Sequence, residues 1–117
     1  MRKRGLKCVM FLRRRMEAER VARREPLRAS VRAQLRRVLP SHLPGGEVVL
    51  FGSITRAGAF HQKSDVDLAV ETLPAGTSLY SLIALLEEEL GRPVDLMILS
   101  ETRLREKIVR EGERWTV

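Results

Sequence analysis

Three short apolar runs after residue 44 restrict the fold of this chain more than any other feature of the sequence. The runs 48–51, 65–70 and 94–99 are rich in Val and Leu, and glycine or proline stands close to each of them. Runs of this length and composition are typical of buried β-strands. Because helical patterns alternate with them, we predict an α/β domain with a small sheet.

Helical periodicity accounts for most of the remaining chain. The predicted helices span residues 26–39, 79–90 and 100–112, and a short helix or loop covers 53–60. Pro26 suits a first helical turn, and Pro40 should end the first helix because proline lacks the amide hydrogen that a helix needs. Gly91 should end the second helix, and Ser100 should cap the start of the last one.

Positive charge is concentrated at the N-terminus. Residues 1–40 contain 14 Lys and Arg against 3 Asp and Glu, a net charge of +11, whereas residues 41–117 contain 8 against 12, a net charge of −4. This asymmetry predicts a basic N-terminal extension over residues 1–25, either disordered or loosely helical, attached to a domain over residues 26–117.

Composition restricts the cellular setting. Apolar residues make up 44% of the chain, but no run approaches the roughly 18 apolar residues that a membrane span needs. We therefore predict that the protein has no membrane partner. A single cysteine, Cys8, cannot form an internal disulfide, which agrees with a cytoplasmic protein.

Acidic residues stand at the start of two predicted strands. Asp65 and Asp67 are two positions apart, so on a strand they project to the same face with Cβ atoms roughly 6–7 Å apart. Asp95 is flanked by Val94 and Leu96, so we expect it on the polar face of the next strand. If these strands are neighbours, the three carboxylates can converge and bind Mg²⁺, which prefers carboxylate oxygens. A solvent-exposed polar face is the alternative for either strand alone.

A Gly-Ser pair follows the first predicted strand. Gly52 allows a sharp turn and a close approach of a ligand to the backbone. Ser53 would open the following short helix, where a hydroxyl group and free amide groups favour phosphate. A Ser-capped strand-to-helix turn without a ligand is the alternative.

Taken together, these residues resemble the minimal nucleotidyltransferases of the DNA polymerase β superfamily. The segment FGSITRAGAFHQKSDVDLAV, with VDLMIL further along the chain, has the signature of that family: a GS pair, a DxD motif on the next strand and a third acid on a later strand. The similarity covers about residues 47–112. It implies a small mixed β-sheet with helices packed on it, the polymerase β-like core.

The resemblance also implies a role for each matching residue. Asp65, Asp67 and Asp95 would bind Mg²⁺, with two ions expected, and Asp95 would help to activate the attacking hydroxyl group. The β- and γ-phosphates of ATP would lie against Gly52 and Ser53. Arg56 stands where the family often has an arginine, and it is either a contact to the triphosphate or an ordinary surface residue.

The function implied is transfer of AMP from ATP to a hydroxyl acceptor. In this family such small proteins are commonly paired with a small helical HEPN-type toxin. The nucleotidyltransferase is the antitoxin, and it acts by adenylylating a tyrosine of the toxin or by binding it. Two alternatives stay open. One is a non-catalytic module that binds nucleotide or toxin, and the other is a protein that binds nucleic acid through its basic arm. The arm contains one aromatic residue, Phe11, which gives base stacking no support.

Overall fold

The computed structural model describes residues 2–117, with side chains from residue 8 onward. Its helices are α1 (Arg2–His42), α2 (Leu79–Leu90) and α3 (Arg105–Glu111), and its strands are β1 (Glu47–Phe51), β2 (Val66–Val70), β3 (Val94–Ile98) and β4 (Glu113–Thr116). Two 3₁₀ turns, Gly52–Thr55 and Leu99–Glu101, follow β1 and β3. The three predicted strands and the predicted α2 are therefore present.

The four strands form one mixed sheet in the order β3-β2-β1-β4. β1 runs antiparallel to both of its neighbours, whereas β2 and β3 are parallel. A parallel pair needs a crossover connection, and α2 provides it between β2 and β3. This architecture confirms the predicted small mixed sheet with helices packed on it.

α1 is a single helix of 41 residues, and both predicted ends of the first helix are wrong. It continues through Pro26 and Pro40, although an internal proline removes a hydrogen bond and crowds the preceding turn. Tertiary contacts on both sides of Pro26 hold the helix there, since Val21 packs on Gly58 and Val31 lies in the core. Pro40 falls in the last turn, where fewer helical bonds depend on it.

The first half of α1 projects from the domain. Residues 8–20 are exposed on every face of the helix, and the longest dimension of the molecule is 68 Å. No helix among residues 2–117 combines the length and the apolar character that a bilayer crossing requires. The division into an extension over 1–25 and a domain over 26–117 stays a prediction.

The C-terminal region departs from the prediction in two ways. Ser100 lies in the second 3₁₀ turn, and α3 begins at Arg105 after Leu104, so the predicted cap at Ser100 is wrong. β4 was not predicted, because residues 113–116 contain one large apolar side chain, that of Trp115. The strand forms through backbone pairing with β1 and burial of that single ring.

Apolar side chains cover the two faces of the sheet unequally. Alternate residues of β1, β2 and β3 pack against α1 and α2 in one large buried cluster. On the other face, α3 covers a much smaller cluster whose buried members are Val49, Ala69, Leu99 and Ile108. The second face therefore has room for a polar site.

Candidate active site

The predicted acidic residues lie on the sheet face that carries α3. In the strand register, Asp67 of β2 stands directly between Phe51 of β1 and Asp95 of β3. Asp65 directly precedes β2, with Asp65 and Asp95 exposed and Asp67 half-buried. The condition set by the sequence, that the two acidic strands be neighbours, is thus met.

The electrostatic state of Asp67 shows that the three carboxylates influence one another. Burial, together with the negative charges of Asp95 and Asp65, raises the pKa of Asp67 from 3.8 to about 6. Loss of hydration and repulsion from like charges both disfavour the ionised carboxylate. A cation at this position would relieve the repulsion.

The donor set has the chemistry that Mg²⁺ requires, three carboxylates with two of them open to water. Among the residues that the structure describes, however, no group of three or more His, Cys, Asp or Glu side chains is arranged so that it could hold a metal ion. The backbone therefore brings the three positions together, while the carboxylate oxygens do not form a closed ligand set.

At Gly52 the predicted phosphate-binding turn (Gly52–Thr55) lies directly against the acidic row formed by Asp65, Asp67 and Asp95. The φ angle of Gly52 is +72°, in the region that favours glycine. A Cβ atom there would meet Oδ2 of Asp67 at 2.2 Å, so any larger residue would displace that carboxylate. The absence of a side chain at Gly52 is what lets the turn and the acid lie together.

Ser53 lies in the 3₁₀ turn Gly52–Thr55 and not at the start of a longer helix. Two hydrogen bonds close the turn: Oγ1 of Thr55 donates to the Gly52 carbonyl at 2.7 Å, and the amide of Arg56 donates to the Ser53 carbonyl at 3.1 Å. A helix dipole needs several aligned turns. Phosphate binding at this turn would therefore depend on local amide and hydroxyl groups and not on a helix dipole.

A cavity of about 760 Å³ lies beside Phe51 and Gly52, between α1 and α3. β4 begins opposite Leu50 and does not extend along Phe51 and Gly52, so no strand fills this space. Cationic side chains from three separate elements line it, namely Arg28, Arg56 and Lys107, together with the carboxylates of Glu111 and Glu113. The volume is within the range of small-molecule sites, and three cations against two carboxylates leave an excess of positive charge for an anionic ligand.

Of the three cationic residues that line the cavity, the sequence analysis named Arg56 as a candidate ligand of the triphosphate but did not name Arg28 or Lys107. Both belong to helices that are distant from the GS and DxD segments along the chain. The four-residue spacing of Arg24, Arg28, Arg32 and Arg36 is a signal that could have been used, because it places these arginines on one helix face.

The loop before the acidic strand is held by hydrogen bonds between side chains and the backbone. Ser64 is buried, and its Oγ accepts from the amide of His61 at 2.9 Å. Arg92 donates to the carbonyl of Ser64 at 3.1 Å and lies over the ring of Phe60. These contacts fix the entry into β2, and hence the positions of Asp65 and Asp67.

Comparison with known proteins gives one family match. The sequence matches the family model of the nucleotidyltransferase domain over residues 32–115. Among curated proteins, none matches the chain.

Two solved structures are similar to this chain. One is a toxin–antitoxin with AMP-PNP, which shares 26% identity over 73% of each chain with a TM-score of 0.58. The other is that of a candidate minimal nucleotidyltransferase, with 35% identity over 76% of this chain and 92% of its own, and a TM-score of 0.52.

Proposed function

The chain belongs to the nucleotidyltransferase-domain family, in its minimal nucleotidyltransferase form, and from this premise we propose that it transfers AMP from ATP to a hydroxyl group of a toxin partner. The observation that carries the proposal is the contact between the two motifs. Gly52 lies against the carboxylate of Asp67, which in turn pairs in register with Asp95. Nucleotide phosphates and carboxylates would therefore share one small region of the sheet.

In the proposed reaction, the acceptor hydroxyl oxygen forms a bond to the α-phosphorus of ATP. The bond from that phosphorus to the oxygen bridging to the β-phosphate breaks, and pyrophosphate leaves. Asp95, exposed at the end of the acidic row, takes the proton of the attacking hydroxyl group.

Asp65, Asp67 and Asp95 are the residues that would hold Mg²⁺. The ion, when bound, stabilises negative charge on the attacking and leaving oxygens. The raised pKa of Asp67 supports this assignment, because a carboxylate under repulsion from its neighbours gains from a nearby cation.

The triphosphate would lie along the turn Gly52–Thr55, with its charge balanced by Arg56. The adjoining cavity has the size for the remainder of a nucleotide, and Lys107 adds a second cation on its wall. These contacts bind and orient ATP; they do not take part in bond formation.

The acceptor is proposed to be a tyrosine of a HEPN-type helical toxin. The acidic face is open at Asp65 and Asp95, so a hydroxyl group can approach it from another molecule. One of the similar structures is itself a toxin–antitoxin with AMP-PNP, which supports both a toxin partner and an adenine nucleotide for this chain.

The test is a transfer assay with α-labelled ATP, Mg²⁺ and the product of the neighbouring gene as acceptor. We expect label on the acceptor with the wild type and a roughly 10³-fold lower rate with Asp67→Asn, because charge stabilisation in the transition state is lost. The matched control is Glu101→Gln, which removes an exposed carboxylate from the second 3₁₀ turn and should retain the wild-type rate.

Two outcomes would contradict the proposal. Undiminished labelling by Asp67→Asn would place the reaction at another site. A stable complex of the two proteins with no label in any reaction would identify a binding antitoxin in place of an enzyme.

A further inference from the structure

One face of α1 carries four arginines at a spacing of four residues, and each of them contacts the domain. Nη1 of Arg24 donates to the Gly58 carbonyl at 2.8 Å, and Nε of Arg28 donates to the Ile54 carbonyl at 2.8 Å. Arg32 forms a two-pronged ion pair with Glu113. The last of the four, Arg36, lies 4.1 Å from the centre of the Trp115 ring.

Three contacts from these arginines end on the segment that carries the proposed phosphate-binding turn. Ile54 is the buried residue of the turn Gly52–Thr55, and its carbonyl accepts from Arg28 at 2.8 Å and, over a longer 3.4 Å, from Nη1 of Arg32. Gly58, which follows the turn, accepts from Arg24 and packs closely on Val21. The N-terminal helix thus holds the turn at its centre and again just beyond its end.

The turn needs such support because it is very short. A 3₁₀ turn has poorer hydrogen-bond geometry than an α-helix, and its own closing bonds are those of Thr55 and Arg56. Arg28 is a firm anchor, since its side chain is only 18% exposed and its Nη1 also pairs with Glu25 at 3.2 Å. A charge-assisted bond from a fixed guanidinium restricts the Ile54 peptide.

We propose that Arg28 is a positioning residue for nucleotide binding. By holding the Ile54 carbonyl it fixes the peptide units on either side, so that Gly52 and Ser53 present their backbone to the phosphates of ATP in one conformation. The proposal rests on the proposed function, in which these two residues hold the triphosphate. It also gives the arginine-rich helix a structural purpose beyond attraction to a charged partner.

The experiment compares Arg28→Ala and Arg28→Lys with Arg37→Ala, in full-length protein. Arg37 is exposed on the same helix, so its replacement by Ala removes the same charge. Two properties are measured: the amide hydrogen exchange of residues 53–56 without nucleotide, and KM and kcat for ATP. Exchange of β2 amides in the same samples reports global stability, which separates a local effect from general unfolding.

With Arg28→Ala we expect about tenfold faster exchange at residues 53–56 and a KM for ATP about tenfold higher, the effect of losing one charge-assisted hydrogen bond. The β2 amides and kcat should change much less. Arg28→Lys should recover part of both effects, because lysine keeps the charge but lacks the planar fork. Arg37→Ala should resemble the wild type.

Unchanged exchange in Arg28→Ala would overturn the proposal, even if KM rose, because the turn would then be held without Arg28 and its effect on ATP would not pass through the turn. Faster exchange with unchanged KM would also overturn it, since the turn would be held without consequence for ATP. If the wild type neither bound ATP nor transferred AMP, the exchange result would still show whether Arg28 holds the turn, so failure of the proposed function would be recognised separately.

Discussion

The sheet face that packs against α1 and α2 is a continuous apolar layer, whereas the opposite face changes character along its strands. Under α3 that second face is apolar, with Val49, Ala69 and Met97 in one row. Two residues away along the same strands, the row is Phe51, Asp67 and Asp95. The same three strands therefore supply the core on one side and a polar site on the other.

The comparison shows how a small domain separates stability from function. Because side chains alternate across a strand, β2 places Val66 and Leu68 in the large core while Asp67 faces the site. The large core supplies most of the burial, so repulsion among the carboxylates is tolerated on the other face.

Truncation on each face tests whether the two clusters differ in their contribution to stability. Leu35→Ala in the large core should lower the free energy of unfolding by about 4 kcal/mol, and Ile108→Ala in the small cluster by about 2 kcal/mol. Leu35 is fully buried among residues of α1, α2 and the sheet. Equal losses in urea titrations would show that the small cluster stabilises the domain as much as the large one.

Crowding between α3 and β1 gives a second test on the site face. A Cβ atom at Gly112 would lie 2.4 Å from Cγ1 of Val49 and 2.5 Å from the Ile108 carbonyl oxygen. Gly112→Ala should therefore cost about 2–3 kcal/mol. The control is Gly76→Ala, where nothing lies within 4 Å and φ is +78°; backbone strain alone should cost about 1 kcal/mol there.

Removing the charge of Asp67 should raise the free energy of unfolding, whereas the substitutions above lower it. The pKa of Asp67 is raised from 3.8 to about 6, so the folded protein binds this proton more tightly than the unfolded chain does. The free energy of unfolding therefore decreases as the pH rises through that interval. In EDTA at pH 7.5, Asp67→Asn should be about 1 kcal/mol more stable than the wild type, a value reduced for partial solvent screening.

The difference should shrink as the pH falls toward 4, because protonated Asp67 carries no charge. A destabilised Asp67→Asn variant at neutral pH would mean that the ionised carboxylate is held by favourable contacts. Thermal unfolding between pH 4 and 7.5 measures this dependence.

The smallest effect is expected at the ion pair between α1 and β4. Nη1 and Nη2 of Arg32 donate to the two carboxylate oxygens of Glu113 at 2.7 and 2.8 Å. These hydrogen bonds lower the pKa of Glu113. The ion pair therefore contributes fully to stability when the pH is above the usual pKa of a glutamate. The contribution disappears as the pH falls through the lowered pKa of Glu113.

Because the Glu113 side chain is 42% exposed, Glu113→Gln should cost less than about 1 kcal/mol at pH 7. A double-mutant cycle with Arg32→Gln measures the pair itself. Arg32 also approaches the ring of Trp115. A coupling energy that persists at low pH would therefore show that it comes from packing on this ring and not from charge.

The sequence was sufficient for β1, β2 and β3, and for the sheet face on which the acidic residues of β2 and β3 lie. Short apolar runs beside glycine and proline define β1, β2 and β3 locally, and the two-residue alternation places Asp67 opposite the core. The ends of α1 could not be predicted in this way. A proline in the sequence indicates a local loss of helix stability, but it does not show the tertiary contacts of Val21 and Val31 that offset this loss.

β4 and the cavity could not be predicted from local sequence patterns either, because both depend on tertiary contacts. The strand consists of four residues whose pairing with β1 depends on backbone bonds that any sequence can make. Arg28 and Lys107 line one cavity only because two separate helices pack beside the same strand end. Such contacts depend on tertiary geometry, which spacing along the chain does not encode.

The pairing of β4 with β1 also determines when the domain can be completed during synthesis. Translation makes β1 early and β4 late, yet Trp115 must lie opposite Val48 and beneath Arg32 and Arg36. Until the ribosome has released Trp115, the outer edge of β1 in the nascent chain has no strand beside it. A pause in translation before codon 113 would expose that edge to neighbouring chains, with the attendant danger of aggregation.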